Sequence, residues 1–389
     1  MMDPWDFNLR HLRAFVKTFE LGTLLAASRA VHISQPALTQ GLVRLEDQLN
    51  VRLFDRQSDG MVPTQAGHLL APRAAAALEL IRSPKVTHAQ VRAFVALARG
   101  GSYAEASAAT GLAKASLHRA VADLEASLGM RLAKRRGRGV ELTNAGKAAA
   151  RRYRIAHAEL AAAIDEIRQL LGQRAGQLSI GAMPLCRARV LPSSIVAFQD
   201  RNPGSQIFVA EGSHVELIEP LRDGDLDFLI GALRDPPPGP DLVQAPLFND
   251  RPVILARSSH PLAQKAEAVT LEDVAAFEWC VPQKGVPLRD RWEAMFDEIG
   301  IACPRVRVEC GSVITIRQIL MKTDCLTLLS PDQVKVELEA GWLTVLANAP
   351  ETLTRTIGLT YREGWRPTRL QSEFIDTLKG ISTQDILFV

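Results

Sequence analysis

Apolar residues near the start of the chain return at helical intervals. Leu12, Phe15, Val16 and Phe19 share one helix face, Gly22-Thr23 breaks and re-caps the chain, and Leu24, Leu25 and Ala27 open a second short helix. Ser34 is placed to cap a third helix with Pro36 in its first turn, where the amide that proline lacks would have no partner in any case. Leu38, Leu42, Leu45 and Leu49 give this helix an apolar stripe. Residues 53–63 then have the pattern of a hairpin, and Thr64 caps a fourth helix. Three helices, a turn and a β-wing predict a winged helix-turn-helix, whose third helix lays its N-terminal side chains against base edges in a major groove.

The pattern then repeats. Leu12-Arg13-Ala14-Phe15-Val16 recurs 79 residues on as Val91-Arg92-Ala93-Phe94-Val95. The same offset, without a gap, carries Gly22 onto Gly101, Leu38 onto Leu117, Leu45-Glu46 onto Leu124-Glu125, Arg52-Leu53 onto Arg131-Leu132 and Ala66-Gly67 onto Ala145-Gly146. A period this long exceeds that of stacked repeats and predicts two copies of one small domain, at residues 1–83 and 84–146. The second copy runs on into a long helix expected over 147–174. Along it Tyr153, His157, Leu160, Ile164, Ile167 and Leu171 alternate in steps of four and three, the spacing of a coiled-coil seam. Such a seam fits either a second subunit or the helix's own domain.

From residue 177 the pattern changes to short apolar strands alternating with helices. Strands are expected at 177–181, 206–210, 226–230 and 253–256, then near 279–281, 306–308, 326–328 and 357–361, with a closing helix at 369–378. This alternation predicts open parallel sheets in two α/β lobes, about 175–252 with 355–389, and about 253–354. The expected fold class is therefore α+β multidomain: two winged helix-turn-helix domains, a linker helix, and a two-lobed α/β domain. Binding crevices in such sheets lie beyond the carboxyl ends of the strands. That makes Met183, Pro184, Ser213, His214, Gly231, Val286, Pro287 and Ser312 candidates for a ligand site. Several begin helices, where free amides favour a carboxylate or another polar group; each also fits a plain capping role.

Charge divides the chain in the same place. Residues 83–175 hold 16 Lys+Arg against 7 Asp+Glu, whereas residues 176–389 hold 21 against 28. The basic segment suits a polyanion, and also suits a merely solvated surface.

Ser34-Gln35-Pro36-Ala37-Leu38-Thr39, then Leu45-Glu46, Leu53-Phe54-Asp55-Arg56 and Pro63-Thr64-Gln65-Ala66-Gly67 resemble, in order and spacing, the N-terminal signature of LysR-type transcriptional regulators. That family has one such domain, so the second copy is a departure. It stands where the ordinary domain stands, and it is the more eroded. Ala113-Lys114-Ala115-Ser116-Leu117-His118-Arg119 lacks Gln-Pro, and Leu132-Ala133-Lys134-Arg135 lacks the wing phenylalanine. The resemblance implies that a Gln early in the recognition helix and a basic residue five positions later face bases or phosphates. Copy one keeps Gln35 but has Gln40 at the second place; copy two has Lys114 at the first and keeps Arg119. The implied DNA-contacting set is Ser34, Gln35, Pro36, Thr39, Gln40 and Arg56 in copy one. In copy two it is Lys114, Ser116, His118, Arg119 and the wing residues Arg135, Arg136 and Arg138. Either both copies bind, or one is a duplicate retained for packing.

The distal half is similar to the effector domain of the same family, itself similar to type 2 periplasmic binding proteins, through Arg222-Asp223-Gly224-Asp225-Leu226-Asp227, Ser259-His260-Pro261-Leu262-Ala263 and Val286-Pro287-Leu288-Arg289. The last of these, with Gly231-Ala232-Leu233, is similar to the branch containing the galactose-binding-protein regulator. Met183-Pro184 stands where the family often has Ser or Thr, which points to a more apolar ligand than a carboxylate. The implied partners are double-stranded DNA, a small-molecule effector, RNA polymerase, and further copies of the chain in a homodimer or homotetramer joined by the linker helix and effector half.

Other classes find little support. No G-x-S-x-G and no G-x-x-x-x-G-K occurs, and of eight histidines only His214 and His260 lie beyond residue 157, without ligands at metal spacing. No catalytic residue, metal site or cofactor is expected. A solute-binding protein would need export, and Met-Met-Asp-Pro-Trp-Asp lacks a basic stretch followed by an apolar run. A DNA-organising protein whose α/β half only assembles subunits remains as a rival. Five cysteines without C-x-x-C suit buried, reduced thiols in a cytoplasmic protein, and no run of about 18 apolar residues suggests a membrane span.

Overall fold

A computed structural model describes residues 2–58, 60–137, 139–173 and 176–384. It divides into two compact units: the first 177 residues with the short stretches Pro203–Gln206 and Arg222–Asp225, and the remainder.

The first unit opens with a 3-10 turn at Pro4–Asp6, followed by α1 (Leu9–Leu21), α2 (Leu24–Val31), α3 (Gln35–Leu49), a hairpin of β1 (Phe54–Gln57) and β2 (Gly60–Pro63), and α4 (Gln65–Ile81). Copy two repeats the series as α5 (His88–Gly100), α6 (Tyr103–Thr110), α7 (Lys114–Leu128), β3 (Ala133–Arg136), β4 (Gly139–Leu142) and α8 (Asn144–Leu170). Side-chain oxygens of Thr23, Ser34 and Thr64 accept the amides of Ala26, Ala37 and Gly67, as their positions predict.

The duplication extends to individual hydrogen bonds. The amide of Thr64 donates to Leu53 O, and that of Thr143 to Leu132 O, both at 3.0 Å. Leu53 N–H reaches Glu46 Oε1 at 2.8 Å, and Leu132 N–H reaches Glu125 Oε1 at 2.7 Å. A Cβ on Gly67 or Gly146 would lie 2.4 or 1.9 Å from the carbonyl oxygen of Leu53 or Leu132, so both copies need glycine where the helix crosses the chain entering the wing. One link is missing. Ala113 stands at the N-cap of α7, where Ser34 caps α3, and supplies no side-chain bond. Ala113→Ser is therefore expected to stabilise copy two by about 1 kcal/mol, seen as slower amide exchange along α7; unchanged exchange would contradict this.

The seam on α8 differs from the expectation of a second subunit. α4 runs antiparallel to α8: Arg73 on α4 binds Glu159 and Glu166, while Arg152, earlier on α8, donates to Leu80 O near the end of α4. Leu70, Ala74, Ala77 and Ile81 of α4, and Tyr153, Leu160, Ile164 and Ile167 of α8, are buried in one continuous core that includes both winged copies. The place expected for a partner subunit's helix is taken by the chain's own α4. A stripe supplied by the same chain avoids the loss of translational and rotational freedom that joining a second chain entails. His157 stays partly exposed beside Asp3 and Trp5, and Leu171 is exposed.

The second unit holds β5 (Gln177–Ala182), α9 (Val190–Arg201), β6 (Gln206–Glu211), α10 (His214–Arg222), β7 (Phe228–Ala232), β8 (Leu242–Asp250), β9 (Val253–Arg257), α11 (Leu271–Ala275) and β10 (Trp279–Val281). It continues through α12 (Pro287–Asp297), β11 (Val306–Glu309), α13 (Val313–Leu320), β12 (Leu326–Leu329), α14 (Lys335–Glu339), β13 (Leu343–Asn348), β14 (Arg355–Arg362) and α15 (Arg369–Gln384). Two five-stranded sheets result, in the orders β6-β5-β7-β14-β8 and β11-β10-β12-β9-β13.

They are mixed, which corrects the expectation of parallel sheets. β5 is parallel to β7, and β10 to β11 and β12, but β14 is antiparallel to β7 and β8, and β9 to β12 and β13. The unexpected strands are β8 and β13, both at sheet edges. Pro246 disguises β8; an edge strand tolerates it, and the register slips between Ile357 and Gly358, where Gly358 faces Pro246. Three cysteines, Cys186, Cys280 and Cys325, are buried as expected, whereas Cys303 is exposed and Cys310 partly so. Burial pushes the Cys186 and Cys280 thiols up to about 12, so both stay protonated and unreactive.

Candidate nucleic-acid interface and effector cleft

Each recognition helix is anchored through its apolar stripe, Leu38, Leu42 and Leu45 on α3 and Leu117, Val121 and Leu124 on α7, which leaves the first turn facing solvent. On α3, Gln35, Pro36 and Gln40 are exposed and Thr39 half-buried, while Ser34 is exposed but spends its hydroxyl on the cap. On α7, Lys114, Ser116, His118 and Arg119 are exposed. Ring stacking with Tyr103 of α6, at 3.5 Å between centroids, covers one face of His118 and fixes its plane. Burial and the nearby Glu125 raise the Tyr103 hydroxyl above its ordinary range, keeping it a donor. Tyr103 was not legible as a site residue, since it precedes the recognition helix by a whole element.

The two wings differ in charge. On β1, Arg56 is exposed. In copy two, Lys134 and Arg136 flank Glu141 at 3.3 and 3.8 Å, while Arg135 bonds the Gly137 carbonyl at the tip. Arg138 lies outside the described residues. Sequence reasoning counted the cations and overlooked Glu141, which answers two of them.

In the second unit the candidate residues lie beyond strand ends, except Gly231, which sits inside β7 opposite Gly358 of β14. Met183 follows β5 and Pro184 opens a 3-10 turn, Ser213 and His214 begin α10, and Gly231 lies in β7. In the other lobe Val286 and Pro287 begin α12 and Ser312 caps α13. Met183 and Gly231 are brought together: a Cβ on Gly231 would meet Met183 Cε at 1.7 Å, so the methionine lies buried over the glycine. Much of the polar chemistry here is already committed. Ser213 gives its amide and hydroxyl to Glu216 at 2.7 and 2.8 Å, and Ser312 Oγ accepts from the amide and hydroxyl of Thr315. Val286 and Pro287 remain exposed.

Sequence reasoning missed the ion pairs around this site, whose partners lie far apart in the chain. Arg187, after β5, binds Glu211 at the end of β6 at 2.5 Å. Arg189 of the first lobe binds Asp332, beyond β12 of the second, at 2.6 Å. The partly buried Arg355–Asp250 pair, at 2.8 Å, joins β14 to β8 close to where the chain passes between lobes. His260 is structural: its Nδ1 accepts from Leu262 N–H at 3.1 Å, its Nε2 lies 3.2 Å from Asp324 O, and burial lowers its pKa, so it sits neutral. Among the described residues no cluster of His, Cys, Asp and Glu is arranged to hold a metal ion, and no helix is long and apolar enough to cross a membrane.

Two winged helices with open recognition helices, in one chain with a two-lobed α/β domain, define a helix-turn-helix regulator that answers to a small molecule. Residues 9–68 and 88–147 each match the bacterial regulatory helix-turn-helix proteins of the lysR family, and residues 171–381 match the LysR substrate binding domain. The transcriptional regulator GalR of Pseudomonas putida is 32% identical over 377 residues, covering 94% of either chain. The chain belongs to the LysR family of transcription regulators, with DNA-binding helix-turn-helix domains and an effector-binding domain. An alignment over 94% of this chain takes in both winged copies, so GalR shares the extended length. GbpR of Azospirillum brasilense is 29% identical over 268 residues, 67% of this chain and 76% of its own. The structure of OxyR from Pseudomonas aeruginosa has the same fold, with TM-score 0.54 and 24% identity; it is covered to 97% yet spans only 75% of this chain.

Proposed function

We propose that both winged copies contact DNA and that they divide the work. Copy one reads bases through Gln35, Thr39 and Gln40, with Arg56 on the backbone. Copy two holds phosphates through Lys114, Ser116, Arg119, Arg135, Arg136 and Arg138, and presents the edge of His118. The observation carrying this is the pair of uncovered recognition-helix starts, one amide-rich and one basic. Ser34 and Pro36 set where the first of these helices begins.

The effector sits between the lobes, against Met183, Pro184, Gly231, Val286 and Pro287. Because Ser213 and Ser312 are committed to caps, and Ser213 and His214 only frame the start of α10, the ligand presents an apolar body. Self-association falls to the effector half, since the linker seam is filled. Exposed Val196, Phe208 and Val215 in one lobe, and Ile314, Val336 and Trp342 in the other, offer apolar surface for it. Engagement of RNA polymerase and a cytoplasmic site of action complete the proposal.

Binding of the full chain to duplexes selected from a random library tests the DNA assignment. Deleting copy one would bare the α8 seam, so point variants are used. Gln35→Ala is expected to lose about 1–3 kcal/mol on the preferred sequence and to relax its preference. Arg119→Ala should weaken preferred and random duplexes alike. Wild-type affinity and preference in both variants would reject the assignment.

A further inference from the structure

The pairing of α4 with α8 has a symmetry that follows the repeat. Arg73 is equivalent to Arg152 at the offset of 79, and Leu80 is equivalent to Glu159. The bond from Arg73 to Glu159 and the bond from Arg152 to Leu80 O are therefore one contact made twice, with the copies exchanged. The buried stripes correspond in the same way: Leu70 with Ala149, Ala74 with Tyr153, Ala77 with Ala156, Ile81 with Leu160, each fully buried. Midway between the two bonds along each helix stand Ala77 and Ala156, each other's equivalents and both fully buried. The segments ahead of each copy are exchanged as well. Arg13 of α1 donates to the carbonyls of Ser83 and Pro84, just ahead of copy two, while the turn Pro4–Asp6, ahead of copy one, packs on α5 and α8.

We infer that a single chain is its own DNA-binding dimer: α3 and α7 are related by a pseudo-two-fold axis through the α4–α8 pair, and one chain occupies two inverted half-sites. A two-fold relation between recognition helices is mirrored by inverted half-sites on the duplex. Here the equivalent DNA-facing positions differ, Gln35 against Lys114, Thr39 against His118, and Gln40 against Arg119, so the first half is read through amides and the second through the edge of His118 between phosphate contacts. The site is therefore two unlike halves facing each other, not a palindrome. This inference rests on the proposal that both copies contact DNA.

The test is selection of duplexes from a random library by the full chain, followed by hydroxyl-radical footprinting with exposed-residue variants that leave the fold alone. The expected site has two unlike inverted halves, with Gln35→Ala lowering affinity about tenfold through one half only and Arg119→Ala acting through the other only. A palindrome whose two halves both respond to Arg119→Ala and neither to Gln35→Ala would overturn internal pairing while leaving DNA binding intact. No enriched sequence at all would remove the DNA proposal and this inference with it. Chain connectivity is checked separately with Ala77→Cys/Ala156→Cys in a Cys303→Ser/Cys310→Ser background, which removes the exposed and partly exposed thiols: after oxidation the product is expected to run as one chain on a denaturing gel with the thiols at 77 and 156 both consumed, and a disulfide-linked two-chain product, or thiols left free, overturns the inference.

Discussion

The Arg73→Met variant is expected to lose about 3–5 kcal/mol from the helix pair that unites the two winged copies. Arg73 is 5% exposed, with Nε 2.6 Å from Glu166 and Nη1 3.3 Å from Glu159. Both carboxylates are themselves largely buried, at 12% and 14% exposure, so removing the guanidinium strands two acids with little water to turn to. The variant, not the pair, carries the cost: buried ion pairs barely outweigh their own desolvation, but a lone buried charge is heavily penalised. Amide exchange along α4 and α8 of the full chain should accelerate by about two to four decades. Adding Glu159→Gln and Glu166→Gln to Arg73→Met should recover most of the loss. Unchanged exchange in the single variant would show that the three groups are better solvated than their packing indicates.

Arg73 also marks where sequence reasoning stops. The caps, the glycines at helix ends and the repeat were legible because each is a local rule: Ser34 three residues before the amide it accepts, Gly67 and Gly146 at one offset. The seam on α8 was legible too, since Tyr153, Leu160, Ile164 and Ile167 announce an apolar stripe. Its occupant was not. A stripe states that something covers it, and only the three-dimensional path of the chain shows that α4 returns antiparallel to do so. The same limit hid β8, where Pro246 argues locally against a strand that an edge position allows. In the effector half, topology pointed to a set of strand ends, but the ion pairs Arg189–Asp332 and Arg355–Asp250 join residues over a hundred positions apart. No periodicity predicts them. Capping bonds, by contrast, were foreseeable for Ser213 and Ser312, and they diminish the polar chemistry first assigned there.

The basic wing of copy two gives the largest expected effect on DNA binding. Removing three of its cations together, as Lys134→Ala/Arg135→Ala/Arg136→Ala, should lower the slope of log affinity against log salt by up to about 2.7, at about 0.9 per phosphate contact, and weaken binding roughly a hundredfold at physiological salt. Glu141 makes this estimate divisible. Strand alternation puts Lys134 and Arg136 on the face that carries Glu141 and turns Arg135 away, and the carboxylate lies 3.3 and 3.8 Å from the first two. At 63% and 77% exposure those pairs add little to stability, yet the carboxylate competes with phosphate for both cations. Glu141→Gln should therefore tighten binding to every duplex and steepen the salt slope, without changing sequence preference. Arg56→Ala, in the wing of copy one, should flatten the slope by no more than about 0.9. A triple variant with the wild-type slope would place the copy-two wing away from the backbone, and a Glu141→Gln variant that altered preference would mean that this wing reads bases.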